Sequence, residues 1–180
     1  MLTALDADVE QVRRAEQLES IDGLILPGGE SSVIDKLARA FGLREPLARA
    51  IGAGLPVLGT CAGMILLADR IVDGIAGQRT FGGLDITVQR NAFGSQVDSF
   101  ETDLPFPAVG APPVHAVFIR APVVVAHGPD VEILSRLADG RIVAVRQGSL
   151  IATAFHPEVT GESRIHRLFL DTVRQRRRAA

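Results

Sequence analysis

Leu55-Pro56-Val57-Leu58-Gly59-Thr60-Cys61-Ala62-Gly63 is the stretch that decides how this chain is read. An apolar run ends in a Gly-x-Cys-x-Gly pattern, the arrangement of a strand that turns sharply into a helix with a nucleophile at its apex. Only small residues fit beside such an apex. The first N–H groups of the following helix then face whatever the apex residue attacks. The same helix end favours thiolate over thiol. For a lone cysteine the ordinary reading is a buried structural residue. The flanking glycines and the segments below favour a nucleophile.

Outward from that turn, short β-rich runs alternate with helical patterns, which indicates an α/β protein. Gly23-Leu24-Ile25-Leu26 reads as a buried strand and Val9 to Arg13 as a short one. Between Ser31 and Phe41, Val33, Ile34, Leu37, Ala38 and Phe41 recur at helical spacing, with Gly42 as the stop. Pro56 to Leu58 feeds the turn and Ala62 to Ala68 leaves it. Leu84 to Gln89 alternates strictly, as a half-exposed strand does. After a proline-rich connection, Val114 to Arg120 reads as a strand. Asp139-Gly140 is a tight-turn signal between the strands Val131–Leu137 and Ile142–Gln147, and Gly148-Ser149 leads into Leu150–Phe155. A final helix over Ser163–Arg178 offers Ile165, Leu168, Phe169 and Val173 to the core. The expected sheet is mixed, mainly parallel, with antiparallel hairpins added.

With 180 residues, 47% of them hydrophobic, the chain suits one domain with a sizeable core. A formal net charge of −2 gives no general attraction to nucleic acid or to an anionic membrane. One cysteine forms no internal disulfide, and no signal peptide or long apolar span is visible, so a cytoplasmic setting is expected. The run Arg174-Gln175-Arg176-Arg177-Arg178 has no interleaved aromatics and reads as a solvated helix end facing the negative dipole pole.

Three further segments carry candidate chemistry. In His156-Pro157-Glu158 the proline keeps the chain extended, so residues i and i+2 point the same way and Glu158 can orient the His156 imidazole. Alone it reads as an ordinary strand-ending turn; the cysteine turn upstream makes it a candidate base. Pro27-Gly28-Gly29-Glu30-Ser31-Ser32 joins a strand to a helix that Ser31 or Ser32 can cap. It lacks a P-loop lysine and suits a backbone donor to an oxyanion or a carboxylate better than a phosphate site. Arg90 and Arg120 each end a predicted strand, and arginine grips a carboxylate through two parallel bonds. His115, His127 and His166 have no metal-ligand spacing, and neither a metal nor a cofactor is expected.

In order and wording, the glycine loop, Gly59-Thr60-Cys61-Ala62-Gly63 and Phe155-His156-Pro157-Glu158 resemble a class I, triad-type glutamine amidotransferase domain. Gly28-Gly29-Glu30-Ser31, Arg90-Asn91-Ala92-Phe93-Gly94, Val117-Phe118-Ile119-Arg120-Ala121-Pro122 and Arg146-Gln147-Gly148 are similar to one branch, the glutaminase subunits of pyridoxal 5′-phosphate synthase. The likeness runs from about Asp8 to the C-terminal helix.

It implies a three-layer, flavodoxin-like fold, with Cys61 as nucleophile, His156 as acid and base, and Glu158 as its partner. It implies glutamine contacts from Gly29, Glu30, Ser31, Arg90, Ile119 and Arg120, and an oxyanion hole from backbone at Gly28, Gly29 and Ala62. The implied activity is hydrolysis of L-glutamine to glutamate and ammonia, passed to a synthase subunit for vitamin B6 biosynthesis. The alternatives are a glutaminase serving another synthase and a catalytically silent binding subunit.

Two departures stand out. Ala92 and Ser95 replace residues that are usually Ser and Arg in that branch. Against the branch's opening strand, Leu-Gln-Gly loop and helix, this chain begins at Met1-Leu2-Thr3-Ala4-Leu5, near that helix's end. One glutaminase domain over residues 1–180 is therefore expected, short of a first βα unit, with neighbouring strand edges and helix faces exposed. A start codon placed too late and a truncated product both fit the sequence.

Overall fold

Val57–Thr60 (β2) and Leu150–Thr153 (β10) lie side by side, parallel, and every residue of both is buried. Strands like these are covered on both faces, and their unbroken apolar character follows from that position. In the computed structural model, residues 1–93 and 99–179 are described. One sheet has the order β1-β2-β10-β9-β7-β4-β3, with β8 paired to β9. The remaining members are Leu24–Leu26 (β1), Ala68–Val72 (β3), Leu84–Gln89 (β4), Val123–His127 (β7), Glu132–Arg136 (β8) and Ile142–Gln147 (β9). Ser99–Leu104 (β5) and Val114–Ile119 (β6) form a separate antiparallel ribbon.

The helices are Ser31–Ala40 (α1), Arg44–Gly52 (α2), Ala62–Leu67 (α3) and Ser163–Ala179 (α4). Helix α3 lies against β1, β2 and β10, while α4 packs on β2. Ile165, Phe169 and Val173 of α4 are buried, as their spacing predicts, with Leu168 partly so.

The sheet is mixed, as expected, but its balance differs from the expectation. Parallel pairs are β1–β2, β2–β10 and β3–β4; antiparallel pairs are β9–β10, β4–β7, β7–β9 and β8–β9. Short turns force the antiparallel sense: Gly140, at φ 89°, closes the β8–β9 turn, and Gly148-Ser149 closes β9–β10.

Val9 to Arg13 is not a strand, because it has no ladder partner among the described residues. It lines one side of a cavity of about 1090 Å³ whose other walls include β1, Leu37 and Phe41 of α1, and Phe169 and Val173 of α4. Only part of the apolar stripe of α1 is buried: Ala38 reaches the core and Ile34 packs against it, whereas Val33, Leu37 and Phe41 are exposed and Ser31, Ser32 and Asp35 are buried. The reason is Asp35. It is fully buried and accepts from Arg39 Nη2 at 2.9 Å and from the Arg79 N–H at 3.1 Å, which turns the polar face of the helix inward.

Candidate active site

Cys61 sits between β2 and α3 with φ 50° and ψ −101°, a conformation that L residues adopt only under constraint. The constraint is packing. A Cβ at Gly59 would stand 2.7 Å from the Gly63 carbonyl, and one at Gly63 would overlap the Leu26 carbonyl oxygen, so α3 can begin here only with glycine at both places. The Cys61 N–H donates to the Thr153 carbonyl at 2.8 Å, tying the apex to β10. Cys61 is 6% exposed and its Sγ lies 4.0 Å from the Ile119 carbonyl oxygen. Ala62 opens α3, at a position whose N–H has no partner within the helix.

β10 also delivers the imidazole. Just past the strand, the His156 N–H donates to the Val117 carbonyl at 3.1 Å, and Nδ1 stands 2.7 Å from Glu158 Oε1. The bond to the Cys61 side chain is the largest of the influences that push the His156 pKa up to about 10; the bond to Glu158 adds to it and burial opposes it. Burial alone would raise the Glu158 pKa, but the bonds from His156 and the backbone outweigh it and hold the carboxyl below its usual range. An imidazolium held beside the Glu158 carboxylate and turned to Cys61 is therefore the favoured state of this ring at neutral pH. Gly28 completes this corner, since a Cβ there would overlap the His156 ring.

The glycine loop presents Gly29 at φ 133°, open only to glycine, followed by Glu30. Glu30, not Ser31 or Ser32, caps α1: its Oε1 accepts from the Ser32 N–H at 3.4 Å and from Ser32 Oγ at 3.1 Å. The same oxygen accepts from Arg90 Nη2 at 2.7 Å. Arg90 is buried, and its Nη1 donates to Gln78 Oε1 at 2.9 Å, so part of its fork is already engaged. Ile119 and Arg120 lie at the end of β6, both exposed, with Arg120 at φ 45°. Beside them the Ala92 N–H donates to the Ala121 carbonyl at 3.2 Å. Gly94 and Ser95 lie outside the described residues.

Phenylalanines underlie these segments. Phe100 stacks on Phe118 at 4.6 Å, Phe93 lies 4.9 Å from Phe100, and Phe118 lies 5.6 Å from Phe155, the neighbour of His156. The remaining histidines stand apart from the triad's bonds. His115 is exposed between Asp103 and Glu101, His127 meets the Gly128 carbonyl, and His166 is buried in α4, where burial lowers its pKa. No cluster of metal-ligating side chains occurs among the described residues.

The model of the SNO glutamine amidotransferase family matches residues 2–175. The chain belongs to that family. It is 62% identical to the pyridoxal 5′-phosphate synthase subunit PdxT of Leifsonia xyli subsp. xyli (strain CTCB07), over 98% of this chain and 89% of that one. It is also 62% identical to the protein of that name from Clavibacter sepedonicus, over 96% of this chain and 83% of the relative. A crystal structure of a glutamine amidotransferase superposes with a TM-score of 0.88 at 47% identity, covering 96% of this chain and 89% of that one. A protein from Thermoplasma acidophilum described as a GMP synthase component, at 18% identity and a TM-score of 0.64 over 92% of this chain and 79% of that one, shares the fold. The α/β fold expected from the sequence is thereby shown to be that of the glutamine amidotransferases.

Sequence reasoning missed Gln78, Asp35 and the Thr153 carbonyl. Each acts through a bond to a residue distant in the chain, and no local pattern marks it. No helix among the described residues is long and apolar enough to cross a membrane.

Proposed function

We propose that this chain, as one glutamine amidotransferase domain, hydrolyses L-glutamine to L-glutamate and ammonia and supplies the ammonia to the synthase subunit of a pyridoxal 5′-phosphate synthase. The observation that carries the reading is the assembly of Cys61, His156 and Glu158, from two strand ends far apart in sequence, at an apex of φ 50°. The kinship with PdxT subunits supplies the pathway.

His156 holds the thiol proton, and the Cys61 thiolate attacks the carboxamide carbon of glutamine. The electron pair of the C=O moves to oxygen, where N–H groups of Gly28, Gly29 and Ala62 receive it. Collapse of this intermediate breaks the C–N bond as His156 protonates the nitrogen, and ammonia leaves. A water then attacks the γ-glutamyl thioester with His156 taking its proton. The C–S bond breaks, glutamate departs, and the thiolate is restored. Glu158 orients the ring and stabilises its charge throughout. Glu30, with one oxygen held by Arg90, suits the α-ammonium group of glutamine; Gly29, Ser31, Ile119, Arg90 and Arg120 complete the amino-acid pocket.

The test is glutamate and ammonia release from glutamine, with the matching synthase subunit present. Cys61→Ser should lose more than about 1,000-fold in kcat. No turnover by the intact protein, or unchanged turnover in Cys61→Ser, overturns the reading.

A further inference from the structure

Between β3 and β4, residues 73–83 bring one side chain to the back of the glycine loop. Gln78 Oε1 accepts from Arg90 Nη1, and its Nε2 donates to Ser31 Oγ, both at 2.9 Å. The sense of this amide is fixed by chemistry, because a guanidinium has donors and no acceptor. The oxygen must face Arg90, so the NH2 must face Ser31, and the Ser31 oxygen accepts. The hydroxyl hydrogen of Ser31 is thereby left free for another acceptor. The loop is anchored on both sides of this amide. The Gln78 N–H donates to the Ile75 carbonyl at 2.9 Å, and the next residue, Arg79, donates its N–H to the buried Asp35 at 3.1 Å.

Arg90 in turn fixes Glu30. All the bonds that Glu30 receives from Arg90 and Ser32 fall on Oε1, and the side chain is 45% exposed. Oε2 accepts no hydrogen bond among the described residues, which suits it to a cationic group arriving from solvent. Gln78, Arg90 and Glu30 thus form a relay that ends at an exposed carboxylate oxygen.

We propose that Gln78 is a positioning residue for substrate affinity: one amide sets the plane of Arg90, through it the carboxylate of Glu30, and the donor sense of the Ser31 hydroxyl, against the amino-acid end of glutamine. This rests on the glutamine-hydrolysing reading above. It concerns the α-ammonium and α-carboxylate groups and not the carboxamide, so it acts on KM and leaves the chemistry at Cys61 alone.

The experiment measures kcat and KM for glutamine in the complex with the synthase subunit, for the wild type, Gln78→Leu, Gln78→Ala and Gln78→Glu. Loss of a hydrogen bond to a charged group predicts a KM roughly tenfold higher in Gln78→Leu, with kcat within about threefold of wild type. Gln78→Glu keeps an acceptor for Arg90 but loses the donor to Ser31, so its KM is expected to fall between those of the wild type and Gln78→Leu. Gln78→Ala, at a half-buried position of a largely exposed loop, gives the same comparison where the leucine is not accommodated. Rapid alkylation of Cys61 by iodoacetamide should be unchanged in all variants, while the glutamine concentration that half-protects Cys61 should be roughly tenfold higher in Gln78→Leu than in the wild type. An active wild type with unmoved KM in Gln78→Leu and Gln78→Ala, or a kcat loss without a KM rise, overturns this proposal alone. A wild type without turnover overturns it together with the reading on which it rests.

Discussion

Neighbouring strands in the parallel part of the sheet are built to different tolerances. From Leu55 to Ala68, through β2 and α3, every residue is buried, and two glycines meet backbone atoms so closely that no side chain fits. One strand away, β1 is three residues long, and one side of it opens on a cavity of about 1090 Å³ beside the exposed Leu37 and Phe41. The same layers, β-strand between helices, serve both regions. Positional accuracy is concentrated where a sulfur must face an imidazole, and the slack lies on the open side of β1, beside Leu37 and Phe41.

The sharpest way to break this contrast is Gly63→Ala. Its methyl group would collide with the Leu26 carbonyl, a backbone atom that cannot rotate away. A loss of about 3 kcal/mol in urea unfolding is expected, together with most glutaminase activity. Retention of both would mean that the turn is looser than its contacts indicate.

A smaller effect is expected at Glu158. Glu158→Gln keeps the shape but removes the charge beside His156, and kcat should fall roughly 100-fold. The folded-state pKa of His156 is raised from 6.5 to about 10, so its contribution to stability is complete below about pH 6.5 and is lost as pH climbs towards 10. In Glu158→Gln one cause of that elevation is gone, so the decline of Tm, which still begins near pH 6.5, should be smaller and end at lower pH than in the wild type. Coincident Tm-against-pH curves would show that Glu158 does not support the imidazolium. At the loose end, Phe41→Ser removes a side chain that is 69% exposed, and its effect on stability should stay within about 0.5 kcal/mol. A cost above about 2 kcal/mol would place this face in the core.

What the sequence disclosed divides along similar lines. Cys61 with its glycines, His156-Pro157-Glu158, the alternation of Leu84–Gln89 and the Asp139-Gly140 turn were legible because each is set by neighbours a few residues away. The orientation of α1 was not, since an apolar stripe gives a helix a face but not the side to which it turns, and here one buried carboxylate decides that. Val9 to Arg13 has strand composition yet lacks a partner, and pairing is a property of the sheet. Helix α2 and the strands β3, β5 and β7 carry no signal strong enough to separate them from their surroundings. Gln78 lies in a glycine-rich loop without a periodic pattern, and its role exists only through Ser31 and Arg90.

The phenylalanine stack has a mechanical meaning. Phe93 belongs to the segment that begins with Arg90, Phe118 precedes Ile119 and Arg120, and Phe155 precedes His156, so three chain segments share one hydrocarbon footing. None of the three can drift without prising rings apart, and specificity and proton transfer are thereby coupled to a common foundation. Heat that loosens this footing should accordingly release the pocket that selects the amide and the ring that cleaves it together.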